Sequence, residues 1–217
     1  MTLDLFGEFP QVKSDPEPLA DGAVLLRGWA LRASGALLAA IKDVSERSPF
    51  RIMTTPGGHR MSVAMTNCGA AGWVSNAHGY RYDAVDPMTG KRWPLMPTAF
   101  EELAASAAAR AGFAGFSPDA CLINRYEPGT RLSLHQDKNE RDMDAPIVSV
   151  SLGLPATFLF GGHHRAQRPR RVPLAHGDVV VWGGPARLSY HGVLPLKDGE
   201  HCATGRCRMN LTLRRAL

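Results

Sequence analysis

The segment LSLHQDK places a histidine and a carboxylate, His135 and Asp137, two residues apart. In an extended backbone these two side chains project to the same side. A second histidine, His191, follows 54 positions after Asp137, at the end of another predicted strand. Two histidines and one carboxylate on one face of an octahedral metal leave three positions free, and non-haem Fe(II) oxygenases use that arrangement to hold a cosubstrate together with O₂. The three residues are therefore our candidate metal ligands.

A second histidine–carboxylate pair, His176 and Asp178, has the same spacing but a different context. Its middle residue is Gly177, it precedes the apolar run VVVWGG, and the next histidine lies only 13 residues beyond Asp178. These features are typical of a β-turn that opens a strand, with the aspartate bonded to local backbone. The first pair follows the alternating Leu132 and Leu134 and is the better metal candidate.

The C-terminal run RMNLTLR, residues 208–214, alternates polar and apolar side chains, so its polar residues share one face of a predicted strand. Two of them, Arg208 and Arg214, are costly to bury without anions, and a dicarboxylate ligand would pair both. The alternative is an edge strand whose polar face is exposed to solvent and binds no ligand. Asn124 and Tyr126 alternate in the same way on ACLINRY, and with the candidate metal ligands they favour the bound dicarboxylate.

The elements that must position these residues change in type along the chain. A first helix is predicted from an N-cap serine, Ser34, and a second between Pro97 at its first position and Gly112 after its last turn. Periodicity weakens over 49–95, which is typical of a functional lid. After Ser117, eight short β-type runs follow without intervening helices, which predicts an antiparallel sandwich or barrel.

The composition is that of an ordinary globular chain: 217 residues, 44% hydrophobic and 21% charged, which excludes whole-chain disorder and fibres. We expect one domain after an extended arm over residues 1–20, which contain three prolines. A net charge of +5 with 20 Arg and 5 Lys suits an anionic partner, although genomic composition alone could produce the same arginine content. Four cysteines without a C-x-x-C pair, no signal peptide and no long apolar run predict a cytoplasmic protein with reduced thiols and no membrane partner.

Seven stretches give the chain a resemblance to the AlkB family of Fe(II)- and 2-oxoglutarate-dependent nucleic-acid demethylases. They are MSVAMTNCG, PDACLINRY, LSLHQDK, APIVSVSLGLPATFLFGG, HGDVVVWGG, YHG and the R-x-N-x-T-x-R run, and they span nearly the whole chain. The resemblance implies a mainly β (α+β) fold with flanking helices, namely a double-stranded β-helix or jelly roll over 117–215. Two N-terminal helices and a nucleotide-recognition lid over 49–95 would complete a single dioxygenase domain over 21–217.

The resemblance also implies the cofactors and the residues that hold them: Fe(II), with 2-oxoglutarate as cosubstrate and O₂ as oxidant. The iron ligands, which are also the catalytic residues, would be His135, Asp137 and His191. The two carboxylates of 2-oxoglutarate would bind Arg208 and Arg214, with Asn124, Tyr126 and Asn210 assisting.

The substrate residues carried over from the family are Met65, Trp73, Tyr80, Tyr82, Arg131, Asn139 and Arg165. Trp73 would stack on the methylated base, and the two tyrosines would lie at the nucleic-acid backbone. From the residues alone, Trp73 could equally be a core residue and the tyrosines one face of a short strand. Asn139 and Ser189 depart from the family's bacterial protein, which has Asp and Phe there, and an asparagine brings no charge toward a cationic base.

The expected reaction is oxidative removal of methyl groups from bases such as 1-methyladenine and 3-methylcytosine, with succinate, CO₂ and formaldehyde as products. The substrate would be single-stranded DNA or RNA, or duplex DNA after base flipping, and the enzyme a monomer. Phosphates would bind Arg131, Arg165, Arg168, Arg170 and Arg171. Two alternatives are a 2-oxoglutarate-dependent hydroxylase of a protein or small molecule, and a nucleic-acid-binding module with a vestigial metal. The intact ligand set argues against the second.

Overall fold

The computed structural model describes residues 15–217. Fourteen strands, two α-helices and one short 3₁₀ helix make up the described part of the chain. The first half contains β1 (Glu17–Ala20), β2 (Ala23–Leu26), α1 (Ser34–Arg47), β3 (Arg51–Thr54), β4 (Arg60–Gly69), β5 (Gly72–Asn76), β6 (Gly79–Asp83) and α2 (Thr98–Arg110). The second half contains β7 (Ala120–Tyr126), β8 (Leu132–His135), β9 (Ile147–Gly153), β10 (Ala156–Phe160), β11 (Arg170–Leu174), β12 (Val179–Trp182), the 3₁₀ helix (Gly184–Ala186), β13 (His191–Val193) and β14 (Arg208–Arg214). Neither α-helix among these residues is long and apolar enough to cross a membrane.

Two antiparallel sheets form the body of the molecule. The large sheet has the strand order β1-β2-β12-β9-β14-β7-β4-β3, and the small sheet has the order β11-β10-β13-β8. A separate hairpin pairs β5 with β6. The eight strands predicted after Ser117 are all present, and the predicted mainly β jelly roll with two preceding helices is confirmed.

The alternation of side chains on the central strands divides the interior into two layers. On β14, Leu211 and Leu213 pack with α1 and α2, whereas the polar residues of the same strand face the small sheet. On β9, Val148 and Val150 likewise lie on the helix side, and Ser149 faces the opposite layer. Because successive side chains of a strand point to opposite faces, one strand serves both the core and the site.

The segment over 49–95 differs from the irregular stretch predicted there. β3 and β4 are regular strands of the large sheet, and β4 pairs with β7 from Ala64↔Arg125 to Gly69↔Ala120. From Met65 to Cys68 the residues of β4 are buried irrespective of the face they occupy, so the alternation that identifies a strand in sequence is missing. The β5–β6 hairpin lies outside both sheets.

The predicted helix starts were displaced by one residue. Ser34 is the first residue of α1 rather than its N-cap, because the turn before it is already helical at Ala33. The Ser34 hydroxyl donates to the carbonyl oxygen of Leu31 at 2.8 Å and makes no side-chain cap to the helix amides. Pro97 is the N-cap of α2, in extended conformation, and Gly112 follows the helix with φ +93°, as its position predicted.

Part of the predicted N-terminal arm is ordered as a strand. Residues 1–14 lie outside the described residues, whereas β1 pairs with β2 at the edge of the large sheet. Arg27 Nε donates to Glu17 Oε1 at 2.9 Å and fixes this edge.

A buried ion pair joins the end of α1 to the loop after β6. Asp86 is 1% exposed and accepts hydrogen bonds from Ser48 Oγ at 2.8 Å and from Arg51 Nη2 at 2.7 Å. Burial alone would raise the pKa of Asp86, but the bonds from Arg51, the Met88 amide and Ser48 lower this pKa to about 2.

We predict that Asp86→Asn lowers the free energy of unfolding at pH 7 by about 3 kcal/mol, because Arg51 loses its buried counter-ion. The folded-state pKa of Asp86 is depressed, so its contribution is present above about pH 4 and disappears as the pH falls toward 2. Urea unfolding at pH 7, 4 and 3 should therefore show a shrinking difference between the wild type and the variant. A difference that is independent of pH would contradict the assignment. Asp198→Asn, which removes an exposed ion pair with Arg206, is the matched control and should change stability by less than about 1 kcal/mol.

Candidate active site

Two neighbouring strands of the small sheet bring the three candidate metal ligands together. His135 ends β8, His191 begins β13, and the two residues are directly paired in the ladder between these strands. Asp137 follows β8 by two residues and reaches both rings: its Oδ1 lies 3.7 Å from His135 Nε2 and its Oδ2 lies 3.6 Å from His191 Nε2. All three ligand atoms lie within 4.8 Å of one another, so a single cation can contact all of them.

Backbone carbonyls fix the orientation of both imidazoles. His135 Nδ1 lies 2.8 Å from the Ser133 carbonyl oxygen, and His191 Nδ1 lies 3.0 Å from that of Ser189. A carbonyl can only accept, so each Nδ1 carries the proton and each Nε2 presents its lone pair to the shared space. Burial, followed by the proximity of His191, lowers the pKa of His135 to about 4, so this ligand is neutral at physiological pH.

The carboxylate of the candidate centre is held by Arg214. Arg214 donates to Asp137 Oδ2 through Nη2 at 2.5 Å and through Nε at 3.0 Å. Burial would raise the pKa of Asp137, but Arg214 and the two histidines hold this pKa well below its usual range. Asp137 is therefore anionic, as a ligand for a divalent cation must be.

Beside the metal ligands lies a buried guanidinium that lacks an anion. Arg208 is 1% exposed, donates to Ser151 Oγ at 2.9 Å and lies 5.0 Å over the Tyr126 ring. Its Nε and Nη1 have no hydrogen-bond partner among the described residues, nor has Asn124 Oδ1. Two unpaired donors on a buried cation are costly unless a ligand satisfies them, and a carboxylate fits the guanidinium fork. Arg208 and the histidine–aspartate set thus suit the two ends of a metal-chelating diacid such as 2-oxoglutarate.

Both sets of residues line one cavity of about 670 Å³ that opens to the surface. Its wall contains the three candidate metal ligands and all five predicted 2-oxoglutarate residues. It also contains six of the seven predicted substrate residues: Met65, Trp73, Tyr80, Arg131, Asn139 and Arg165. The structure therefore gathers predicted residues from seven strands and the loops between them into one chamber.

The β5–β6 hairpin covers part of this cavity with aromatic rings. Trp73 and Tyr80 stack with ring centroids 5.6 Å apart and an interplanar angle of 15°. Trp73 Nε1 donates to Asn139 Oδ1 at 3.3 Å, which ties the hairpin to the segment after the metal ligand Asp137. Trp73 is therefore a partly exposed residue of the cavity wall as well as a neighbour of the core.

Tyr82 does not lie in the cavity wall with the other predicted substrate residues. Its hydroxyl donates to Glu140 Oε1 at 2.6 Å, and burial raises the pKa of Tyr82 well above its usual value. The position predicted at the nucleic-acid backbone is thus an internal contact between the hairpin and the metal-ligand segment.

The sequence analysis missed two buried charged residues beside the candidate metal ligands, Glu140 and Arg187. Their side chains are buried and form an ion pair, with Arg187 Nη2 3.1 Å from Glu140 Oε2. Arg187 also donates to the carbonyl oxygens of Asp137 at 2.8 Å and Ala145 at 3.0 Å, and Arg214 Nε lies 3.4 Å from Glu140 Oε1. No local signal marks them, since Glu140 lies in a run of charged residues and Arg187 forms its ion pair with a residue 47 positions away.

The competing pair, His176 and Asp178, forms a turn, as its sequence context indicated. Gly177 has φ +85°, and Asp178 accepts hydrogen bonds from the amides of Ala175 and Gly28, each at 2.9 Å. Asp178 also accepts from Arg27 Nη1 at 2.8 Å, a contact with the end of β2 that the sequence did not predict. No metal cluster among residues 15–217 includes this pair.

The family model, the similar sequences and the similar solved structure all point to one protein family. The sequence matches the model of the 2OG-Fe(II) oxygenase superfamily over residues 22–214. It is 58% identical over 214 residues to the alpha-ketoglutarate-dependent dioxygenase AlkB of Salmonella typhimurium, covering 99% of this chain and 98% of that protein. It is 34% identical over 96 residues to the tRNA demethylase abh1 of Schizosaccharomyces pombe, covering 43% of this chain and 32% of that protein. The solved structure of OsALKBH1 matches with a TM-score of 0.81 at 28% identity, covering 92% of this chain and 99% of that one.

We predict that Arg187→Met weakens Co²⁺ binding at least about tenfold, because the Asp137 carbonyl loses the Arg187 donor and the Glu140 carboxylate loses one of its three partners. Calorimetric titration of the metal-free protein measures this affinity, and a thermal melt measures the accompanying loss of stability. Arg206→Met removes an arginine of an exposed ion pair and should change neither quantity. Unaltered Co²⁺ affinity in Arg187→Met would mean that Arg187 does not position the ligand segment.

We also predict that Arg208→Lys raises the dissociation constant of 2-oxoglutarate about tenfold or more. Lysine keeps the charge but cannot offer the planar fork that Arg208 leaves unpaired. The measurement is calorimetry on the metal-loaded protein without O₂, with Arg206→Lys as the matched control. Equal affinities for the two variants would exclude Arg208 from the cosubstrate site.

Proposed function

Because this chain belongs to the 2OG-Fe(II) oxygenase superfamily and, within it, to the AlkB family, we propose that it removes alkyl groups oxidatively from the bases of nucleic acids. The chain is an enzyme, a dioxygenase that uses Fe(II), 2-oxoglutarate and O₂. The observation that carries the proposal is the position of the stacked Trp73 and Tyr80 on the wall of the same cavity that holds His135, Asp137 and His191.

The residues of the chain fit the cofactors of this reaction. His135, Asp137 and His191 would hold Fe(II), and Arg208 would pair one carboxylate of 2-oxoglutarate while Arg214 serves the end nearer the metal. When bound, the iron with 2-oxoglutarate and O₂ supplies the oxidising power that hydroxylates a C–H bond, and 2-oxoglutarate leaves as succinate and CO₂. Hydroxylation of an N-methyl carbon gives an unstable product that releases formaldehyde and restores the base.

The protein's own contribution is orientation and a dry reaction chamber. Arg214 holds Asp137 in its anionic form and in one rotamer, and the Ser133 and Ser189 carbonyls hold the imidazoles. The apolar side chains of Leu122, Phe158 and Trp182 line the same cavity and offer its contents no hydrogen bond from an aliphatic or phenyl group. A fixed geometry of this kind is what proximity and electrostatic catalysis require.

A nucleic-acid substrate is supported by the charge and the rings at the cavity wall. Arg60, Arg131, Lys138 and Arg165 line the cavity and can hold phosphates, while Trp73 offers a face on which a base can stack. Arg165 is directed by the bond from its Nη1 to the Leu134 carbonyl oxygen at 2.7 Å. The relative from Schizosaccharomyces pombe is named a tRNA demethylase, and the same class of substrate is proposed for this chain.

The finer assignments are also part of this proposal. A base whose methylated edge is buried in a duplex cannot reach the metal ligands, so we propose single-stranded DNA or RNA as substrate, or duplex DNA with the base flipped out. The exposed Arg168, Arg170 and Arg171 extend the cationic surface beyond the cavity. Every predicted ligand comes from one chain, which supports a monomer as the acting unit, and we propose the cytoplasm as its location.

We predict that the purified protein with Fe(II) and 2-oxoglutarate removes 14 Da from an oligonucleotide that contains 1-methyladenine or 3-methylcytosine. Formaldehyde and succinate should appear in equal amounts, and mass spectrometry of the oligonucleotide measures the reaction. Asp137→Ala should abolish it, because one ligand and the partner of Arg214 are lost. Asp178→Ala should act only through stability, since Asp178 lies in the turn and outside the cavity wall. Succinate formation stimulated by peptides and not by methylated oligonucleotides would instead favour a protein hydroxylase.

A further inference from the structure

The His176 side chain accepts a hydrogen bond from the backbone at the end of β9. The Gly153 N–H donates to His176 Nδ1 at 2.9 Å. The same turn meets β9 twice more, since Gly177 N donates to the Ser151 carbonyl oxygen at 2.8 Å and Ser151 N donates to that of Asp178 at 2.9 Å. Three hydrogen bonds thus join this turn to the end of β9, and a side chain accepts only the one from Gly153.

The end of β9 in turn positions Arg208. Gly153 and Arg208 form the end pair of the ladder between β9 and β14, and Arg208 Nη2 donates to Ser151 Oγ at 2.9 Å. Gly153 also packs directly on the turn before β14, because a Cβ on this glycine would overlap Thr204 Oγ1 and the Cys207 carbonyl oxygen. A displacement of Gly153 would therefore displace the start of β14, from which the Arg208 side chain projects.

His176 also stacks on His201, which belongs to the turn before β14. The ring centroids lie 4.5 Å apart, and the ring planes are inclined by 30°. His201 Nδ1 accepts a hydrogen bond from the Ala203 amide at 3.1 Å, as His176 Nδ1 does from Gly153. An amide N–H can only donate, so neither Nδ1 carries a proton. Both rings are therefore neutral, with the proton on Nε2.

Protonation of His176 would break its contact with β9. An imidazolium carries a proton on both nitrogens, so the buried Gly153 N–H would face another donor. Burial, followed by the proximity of His201, lowers the pKa of His176 below the usual histidine value of about 6.5. The contact is thus intact at neutral pH and is lost as the pH falls through this lowered pKa.

No neighbouring anion offsets a charge on His176. The ionisable groups of the turn itself and of the turn before β14 have partners of their own or face solvent, and β9 has none. They are Asp178, bonded to Arg27, Arg206, paired with Asp198, the exposed Glu200 and Cys202, and the buried Arg208, bonded to Ser151. Among residues 15–217, His201 is the charged neighbour that affects the pKa of His176, and it opposes protonation.

We propose that His176 is a positioning residue for Arg208: the neutral imidazole keeps the guanidinium in place for 2-oxoglutarate, and protonation of His176 weakens cosubstrate binding. The inference rests on the cosubstrate site of the proposed function and is independent of which nucleic acid is the substrate. His176 is absent from the cavity wall, so its effect passes through β9 and the start of β14.

Calorimetric titration of 2-oxoglutarate into the Co²⁺-loaded protein between about pH 7.5 and pH 5.5 tests the inference. We expect the dissociation constant of the wild type to rise about threefold or more over this range. The side-chain oxygen of His176→Asn can accept from Gly153 but cannot be protonated in this range. This variant should bind as the wild type does at pH 7.5 and keep that affinity at pH 5.5. Any pH dependence that remains in it belongs to the metal centre.

Three further variants separate the acceptor from the charge. His176→Leu removes the acceptor at every pH and should raise the dissociation constant at least about threefold at pH 7.5. His201→Asn keeps an acceptor for Ala203 but removes the stacked ring and its charge, so the loss of affinity should begin at a higher pH. His59→Asn changes an exposed histidine between β3 and β4 and should behave as the wild type does.

Nitrogen NMR of the wild type adds a measurement that needs no altered affinity. Long-range ¹H–¹⁵N correlation at pH 7.5 should show the Nε2–H tautomer for both His176 and His201. An Nδ1–H tautomer at His176 would overturn the inference, as would unaltered affinity in His176→Leu or a wild-type pH dependence in His176→Asn. A wild type that binds no 2-oxoglutarate would overturn it together with the cosubstrate site. Binding without demethylation would overturn only the proposed nucleic-acid function.

Discussion

The structure depends on burying several charged side chains between two sheets. The side chains of Arg208 and Arg214 project from the same face of β14, and both are buried. A buried guanidinium needs an anion, and the two find it in different ways. Arg214 has Asp137 and Glu140, whereas within residues 15–217 Arg208 has only the Ser151 hydroxyl and the face of Tyr126. The two arginines therefore have different roles. Arg214 forms an ion pair that orients the candidate metal ligand Asp137, whereas Arg208 has unpaired donors that a bound anion can satisfy.

The same charges connect the metal centre to the aromatic hairpin. Glu140 accepts from Tyr82 of β6 and from Arg187, and Arg187 in turn holds the backbone of Asp137. Trp73 forms a second link through Asn139. The hairpin that would receive the base is therefore anchored to the short segment after β8, within three residues of a metal ligand.

The helices and the strands after Ser117 were predictable because their signals are local. The apolar positions of α1 and α2, the glycine after α2 and the eight β-type runs each follow from a few consecutive residues. Prediction failed where a local pattern is missing or misleading. β4 is buried on both faces and so shows no alternation over its second half, and Ser34 resembles a cap although the preceding turn already supplies the helical conformation.

For the site, the sequence by itself determined which residues share a face: the histidine and carboxylate at 135 and 137, and the arginines at 208 and 214. This was possible because side chains two residues apart in a strand point to the same face, so a shared face can be identified from a short stretch of sequence. Only the tertiary structure decided that Tyr82 turns inward, that Glu140 and Arg187 form a buried pair, and that Asn139 accepts a hydrogen bond from Trp73. These contacts join positions between 47 and 66 residues apart, and they depend on strand register and on which hydrogen-bonding atom meets which partner. Neither leaves a trace in the local pattern of polar and apolar residues.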